Sequence, residues 1–201
     1  MKTKIRLLVI AITFFNSINA QQSARNNISV GIGFPNLVST FLNIYANEQD
    51  YKVKGMGPYH LKYEYRAGSH IGIGLNINYA STRVDYIKDF VNDNGVTIHN
   101  HIRIKNSSTA LNFRTNLHIL NASTSPRTDL YFGLGIGYKF GGIKITADDI
   151  NGAPSLRLPS LWHLGFETTF GYRYFFTDNI GIYAELGFAK SIAQVGVTGR
   201  F

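Results

Sequence analysis

The chain has 201 residues, with 20 Lys and Arg against 12 Asp and Glu, a formal net charge of +8 and no cysteine. That length holds one domain with a sizeable core, and the missing thiols exclude a disulfide scaffold, a thiolate metal site, a cysteine nucleophile and a lipid-modified N-terminal cysteine. Charged residues are only 16% and aromatic residues 13%, which argues against a disordered polyelectrolyte.

Taken in chain order, the first element is Met1–Ala20. Lys2, Lys4 and Arg6 form a basic start, Leu7 to Phe15 is a short apolar run, and Ala20 is a small residue ahead of Gln21. This pattern predicts a signal peptide over 1–20, cleaved after Ala20. The apolar run falls short of the roughly 20 residues of a spanning helix; an uncleaved N-terminal anchor is the alternative.

From there to the end, 21–201 reads as one domain of alternating strands with period two. Ile28, Val30, Ile32 and Phe34 oppose Ser29, Gly31 and Gly33. Next come Tyr59 to Arg66 and Ile71 to Tyr79. The fourth strand is clearest from Leu111 to Ile119, and Leu130 to Phe140 is the fifth. Trp162 to Phe176, Ile180 to Phe188 and Gln194 to Phe201 complete eight segments. In each, one face is broad, apolar and uncharged. The other is rich in glycine with isolated charges, which suits a crowded interior more than a wetted surface. A Lys or Arg facing lipid at midplane costs roughly 2–4 kcal/mol, and every charge avoids the oily face. The pattern predicts an all-β fold: an eight-stranded antiparallel up-and-down transmembrane β-barrel with both termini periplasmic. A soluble barrel with the faces exchanged is the alternative.

Aromatic placement and loop lengths fit that orientation. Phe34, Tyr59, Tyr79, Phe140, Trp162 and Phe188 fall at outer strand ends, and Tyr65, Tyr174, Phe176 and Phe201 at inner ones, as two interfacial girdles. The links at 67–70, 121–129 and 177–179 are short, while 35–57, 85–100 and 141–160 are long. Alternation continues through Thr82 to Ile87 and returns through Thr97 to Lys105 around Asp93-Asn94-Gly95, which predicts a protruding hairpin. The phase slips between Ile104 and Leu111, so a bulge near 106–109 is expected. The hairpin edge offers a β-augmentation site for a surface protein partner through 82–105. Leu37, Phe41, Ile44 and Tyr45 share a helical face in the first long loop, a short interfacial or plugging helix.

The signal peptide, the eight amphipathic strands and the terminal Phe201 resemble the small outer-membrane β-barrels of the OmpA/OmpX type. The run Tyr172 to Gly181 followed by Glu185 is similar to the penultimate hairpin of the outer membrane protein beta-barrel domain of Bacteroidetes-like proteins. Gln194, Gly196 and Phe201 resemble the C-terminal signal read by the barrel-assembly machinery; Gly199 departs from the apolar third-last residue of that pattern. The resemblance implies the bacterial outer membrane as location, and outer-membrane lipid, lipopolysaccharide and the assembly machinery as partners. It implies almost nothing about activity.

The lumen face is expected to hold Lys62, Arg66, Arg114, Lys139, Arg173 and Arg200 against Glu64, Glu167 and Glu185. Such charges in a tight lumen pair with one another, because an unpaired buried charge is costly. A structural ion-pair network is one reading; a narrow gated pore whose six-to-three cation excess prefers anions is the other. His60, His118 and His163 also fall on the lumen face. No nucleophile and base share a site, so no enzyme is expected. His99 with His101, and Asp148 to Gly152, are incomplete as metal sites, so no metal or cofactor is expected. There is no basic cluster for nucleic acid. The leading expectation is therefore a structural or interaction barrel displaying loops for adhesion, envelope integrity or partner binding. The alternative is a narrow, gated, porin-like channel for small solutes.

Overall fold

The computed structural model describes residues 25–40, 52–91, 97–120, 125–148, 156–159 and 163–201. The predicted signal peptide, Trp162 and most of the predicted first-loop helix lie outside these residues.

The strands are β1 (Asn26–Phe34), β2 (Lys52–Arg66), β3 (Ile71–Val91), β4 (Thr97–Leu120), β5 (Thr128–Asp148), β6 (Leu156–Pro159), β7 (Leu164–Phe175), β8 (Ile180–Phe188) and β9 (Ala193–Arg200). Eight of them form a closed antiparallel ring in chain order, and β6 is an added strand beside the far end of β5. The ring closes where β1 meets β9, from Asn27 opposite Arg200 to Phe34 opposite Ala193. Asn26 and Phe201 finish the seam with two backbone hydrogen bonds of 2.9 Å. Closure matters because hydrocarbon offers no partner for an unpaired N–H or C=O; a ring of strands satisfies them all.

The faces are inverted relative to a soluble protein. Leu134, Phe113 and Val197 are 48%, 54% and 58% exposed, whereas Glu167, Glu185 and Arg173 are 0%, 1% and 2% exposed. Exposed aromatic residues collect toward both ends: Phe34, Tyr59, Phe140 and Phe188 toward one, Tyr65, Tyr174 and Phe176 toward the other. The first end carries the long strands; the second carries the short turns and both ends of the barrel domain.

Past the first aromatic belt, β2 to β6 continue as a five-stranded sheet. The expected bulge at 106–109 is absent: β3 and β4 pair without a slip from Ile71 opposite Leu117 to Val91 opposite Thr97. The sequence phase changes because the surroundings change. Below the belt the outside is lipid and apolar residues point outward. Above it the outside is water, so Val84 is buried and Ile102 and Ile104 are half-buried on the inner face, while His101, Arg103 and Lys105 are outward or exposed. The irregularity sits instead in β2, where Met56 pairs with Ser81 and Tyr59 with Tyr79. One extra residue there flips the strand's faces. Gly57, at φ +75°, occupies the left-handed region this turn of the chain requires.

The hairpin's edges also differ from expectation. β2 covers β3 as far as Asp85, and β5 covers β4 as far as His101. Residues 82–85 and 101–105 are thus interior to a sheet and offer no edge for β-augmentation.

Candidate functional site: the lumen

Two linked clusters fill the barrel. In the cluster nearer the short turns, Glu64 accepts from Arg173 at 2.6 Å, from Asn116 at 2.8 Å and from His118 Nε2 at 2.6 Å. Asp129 faces His118 Nδ1 at 2.6 Å and accepts from Arg66 at 2.5 Å and from Arg173 at 3.1 Å. Both ring nitrogens of His118 thus face carboxylates, which only the doubly protonated ring satisfies as donor to each.

In the central cluster, Glu185 accepts from Lys62 at 2.7 Å, from Arg114 at 3.0 and 3.1 Å and from the Tyr131 hydroxyl at 2.7 Å. Lys62 also donates to Gln194 at 2.7 Å. Glu167 accepts from Asn76, from Asn112 at 3.2 Å and, weakly, from Arg114 at 3.5 Å. Arg114 Nε donates to Asn116 at 2.7 Å, which joins the two clusters. The Tyr131 ring lies 4.2 Å from the Arg173 guanidinium and 5.8 Å from that of Arg114, a cation–π bridge through the centre.

Glycines on the same face make the network fit. A Cβ on Gly133 would lie 2.3 Å from Arg114, one on Gly135 2.5 Å from Glu167, one on Gly72 2.2 Å from Glu64, and one on Gly171 2.3 Å from the Tyr131 ring. The glycine-rich face of the strands is therefore the space into which the charged side chains fold.

Of the nine residues assigned to the lumen network from sequence, Lys62, Glu64, Arg66, Arg114, Glu167, Arg173 and Glu185 meet in it. Lys139 faces inward, half-buried, without an ion pair to a described residue. Arg200 is not in the network: it donates to the carbonyls of Asp178 at 2.6 Å and Pro126 at 2.9 Å and lies over Phe175 at the short-turn mouth. Arg200 sits where β9 leaves the barrel, so turn carbonyls are its nearest acceptors. His163 is not in the lumen either; it is exposed and stacks on Tyr138, with ring centres 5.3 Å apart.

The sequence reading missed Asp129, one turn of alternation before Tyr131 and on the same face. Extending the predicted fifth strand back by one residue from Leu130 finds it. With Asp129 included, four carboxylates face Lys62, Arg66, Arg114, Arg173 and His118. With Arg200 outside the lumen network and His118 in it, and Lys139 still facing inward, the six-to-three count becomes six to four.

Beyond the network toward the long-strand end, the lumen is polar and less satisfied. His60 Nδ1 and Nε2, Asn78 Oδ1, Tyr183 OH and Ser191 Oγ have no hydrogen-bond partner among the described residues. Two residues cap this stretch. Asn36 begins a helical turn at 37–40, accepting from the backbone N–H groups of Ser39 at 3.3 Å and Thr40 at 3.0 Å, and its Nδ2 reaches the carbonyls of Met56 and Ser81 at 3.4 Å. Lys190, in the β8–β9 turn, donates across the opening to the carbonyls of Ser108 at 2.7 Å and Asn78 at 3.2 Å. Burial, with the charge of Lys139 beside it, pulls the Lys190 amine down to about 8. Asn36→Ala is expected to lower the urea midpoint of unfolding by the equivalent of about 1–2 kcal/mol, the worth of a helix N-cap. An unchanged midpoint in a refolding titration would show that Asn36 caps nothing.

Gln194, Gly196 and Phe201, which resemble an assembly signal, have structural contacts as well. Gln194 holds Lys62, Phe201 closes the seam, and a Cβ on Gly196 would lie 2.1 Å from the Val30 carbonyl across it. Of the two histidines weighed as a metal pair, His101 is exposed, and the side chain of His99 lies outside the described residues, as does that of Asp148.

No family model matches the chain, and no curated protein matches it. Among solved structures, the N-terminal β-barrel domain of Pseudomonas aeruginosa OprF is similar at 16% identity and a TM-score of 0.43, covering 90% of this chain and 100% of that one. Ail, the attachment invasion locus protein of Yersinia pestis, in complex with the heparin analogue sucrose octasulfate, is similar at 18% identity and 0.42, covering 89% and 99%. The translocator domain of the autotransporter NalP from Neisseria meningitidis follows at 10% and 0.40, covering 100% and 95%. At these values no residue role passes from them to this chain.

Proposed function

We propose that the protein is an outer-membrane barrel whose lumen is a plug, and that it serves as a rigid, non-enzymatic anchor displaying the sheet and loops of its long-strand end outside the cell. Adhesion, envelope integrity and partner binding are the roles such an anchor serves. The observation that carries this reading is the network itself: Glu64, Arg114, Arg173, Glu167 and Glu185 are buried and each is tied to at least two partners across the lumen. Eight strands enclose an interior that side chains fill. In this reading the short-turn end, with both termini, faces the periplasm.

Planar-bilayer recording of the refolded mature protein is expected to show no reproducible conductance steps. A narrow gated channel is the second reading, favoured by the unsatisfied polar atoms around His60. Regular steps that change size in Glu185→Gln would establish that reading and overturn the plug. Display outside the cell has its own test. The chain has no cysteine, so Lys52→Cys gives a single thiol on the extended sheet. A membrane-impermeant maleimide is expected to label it in intact cells; labelling only after lysis would reverse the orientation.

A further inference from the structure

The register of the extended sheet places five cations side by side on its outer face. Lys54 of β2 pairs with Arg83 of β3, Arg83 with Lys105 of β4, Lys105 with Lys144 of β5, and Lys144 with Arg157 of β6. They are scattered over 104 residues of sequence, so no basic cluster is visible there. The β2 bulge is what brings Lys54 to the outer face. Neighbouring strands are about 4.8 Å apart, so the row is about 19 Å long.

Like charges set directly opposite one another across strands are unfavourable, and this row has little internal relief. Lys54, Lys105, Lys144 and Arg157 are exposed and form no ion pair with a described carboxylate. Among the described residues, Asp85 of the adjacent row is taken up by Arg83 at 2.8 Å and Arg103 at 2.9 Å. Burial pushes its carboxyl up, but the hydrogen bonds from these two guanidinium groups outweigh that and hold it below the usual carboxylate range. Asp85 thus neutralises Arg83 alone, shared with Arg103, and leaves the other four cations of the row without an ion pair to a described carboxylate. Lys105, Lys144 and Arg157 also line one concavity of about 530 Å³, floored by Gly141 and Gly142. Three of the five cations therefore border one open concavity of the outer face.

The row's height indicates its occupant. Along β3 and β5 it lies four residues beyond Tyr79 and Phe140 of the aromatic belt, about 13 Å along the strand. Its side chains leave the same wall that faces lipid below. The first anions in their path are those carried by the headgroups of the surrounding leaflet.

We propose that this row binds the phosphate groups of the glycolipid of the outer leaflet, seating the barrel in a lipopolysaccharide surface. The proposal rests on the orientation given above, but its test in reconstituted protein does not. A sulfated or phosphorylated polymer in solution offers the same anions, so the test separates the two sources.

The probes are lipopolysaccharide, the same material after chemical dephosphorylation, and soluble heparin, each added to wild-type protein and to Lys105→Gln/Lys144→Gln/Arg157→Gln in phospholipid vesicles. A cation near an anionic surface is worth about fivefold in affinity, so the triple variant is expected to bind lipopolysaccharide on the order of a hundredfold more weakly. Wild-type binding is expected to fall with salt and with dephosphorylation. Equal binding by the two proteins, or undiminished binding of dephosphorylated material, would overturn the proposal. So would heparin binding that depends on the row while lipopolysaccharide binding does not. The substituted side chains are exposed, so the variant is expected to keep the heat-dependent gel shift of the wild type. If it does not fold, Lys144→Gln alone carries the test, with an expected fivefold loss restored by Lys144→Arg. Failure here with K52C labelled in intact cells would remove the glycolipid and leave the orientation standing.

Discussion

Replacement of Glu185 by Gln is expected to lower the unfolding free energy by about 3–5 kcal/mol, the cost of leaving buried charges without their partner. The amide keeps the shape and removes the charge. Lys62 and Arg114, both buried, then lose their shared carboxylate, and the Tyr131 hydroxyl loses a charged acceptor. Urea titration of the protein in lipid vesicles, read by gel mobility, measures the effect. Glu167→Gln is expected to cost less than half as much. Its carboxylate is held mainly by the amides of Asn76 and Asn112, and its contact with Arg114 is long, at 3.5 Å. Asp85→Asn, with a partly exposed pair, is expected to stay within about 1 kcal/mol. The ordering matters more than any single value. If Glu185 and Asp85 cost the same, the lumen charges are solvated and the plug reading fails.

What the sequence makes legible follows from which constraints repeat. A period of two, sustained in eight segments, carries strand number, faces and closure, because every strand obeys the same lipid-outside rule. The lumen charges were legible for the same reason: Arg114 and Glu167 each stand out against glycine and small polar neighbours on one face, and Lys62, Glu64 and Arg66 alternate with apolar residues. Strand ends were harder. Asp129 lies where β5 leaves its turn, and Arg200 where β9 ends; there alternation no longer says whether a side chain points into the lumen or curls over the rim. The apparent slip in β4 shows a different limit. Periodicity reports the apolar face, and the apolar face changes sides when the surroundings pass from lipid to water. A real bulge in β2 and a change of solvent along β3 and β4 leave the same trace in sequence. Cross-strand rows are the least legible of all, since Lys54, Arg83, Lys105, Lys144 and Arg157 meet only through register.

That change of solvent is directly measurable, and it separates a membrane barrel from a soluble one. Leu134 and Met56 both lie on the outer wall and are 48% and 55% exposed, so exposure alone treats them alike. Leu134 is on β5 between the two aromatic belts. Met56 is beyond the belt, one row below the cations. Leu134→Arg is expected to destabilise the protein in lipid vesicles by about 2–4 kcal/mol, the cost of a cation against the hydrocarbon. Met56→Arg is expected to stay within about 0.5 kcal/mol, as for an exposed surface site. In a barrel bathed in water on its outer face both changes would be nearly silent, because each side chain would point into solvent. The pair therefore locates the membrane boundary along the wall. A large effect at Met56 would move that boundary up to the foot of the cation row, where four of its five members form no ion pair with a described carboxylate and would lie against the hydrocarbon edge.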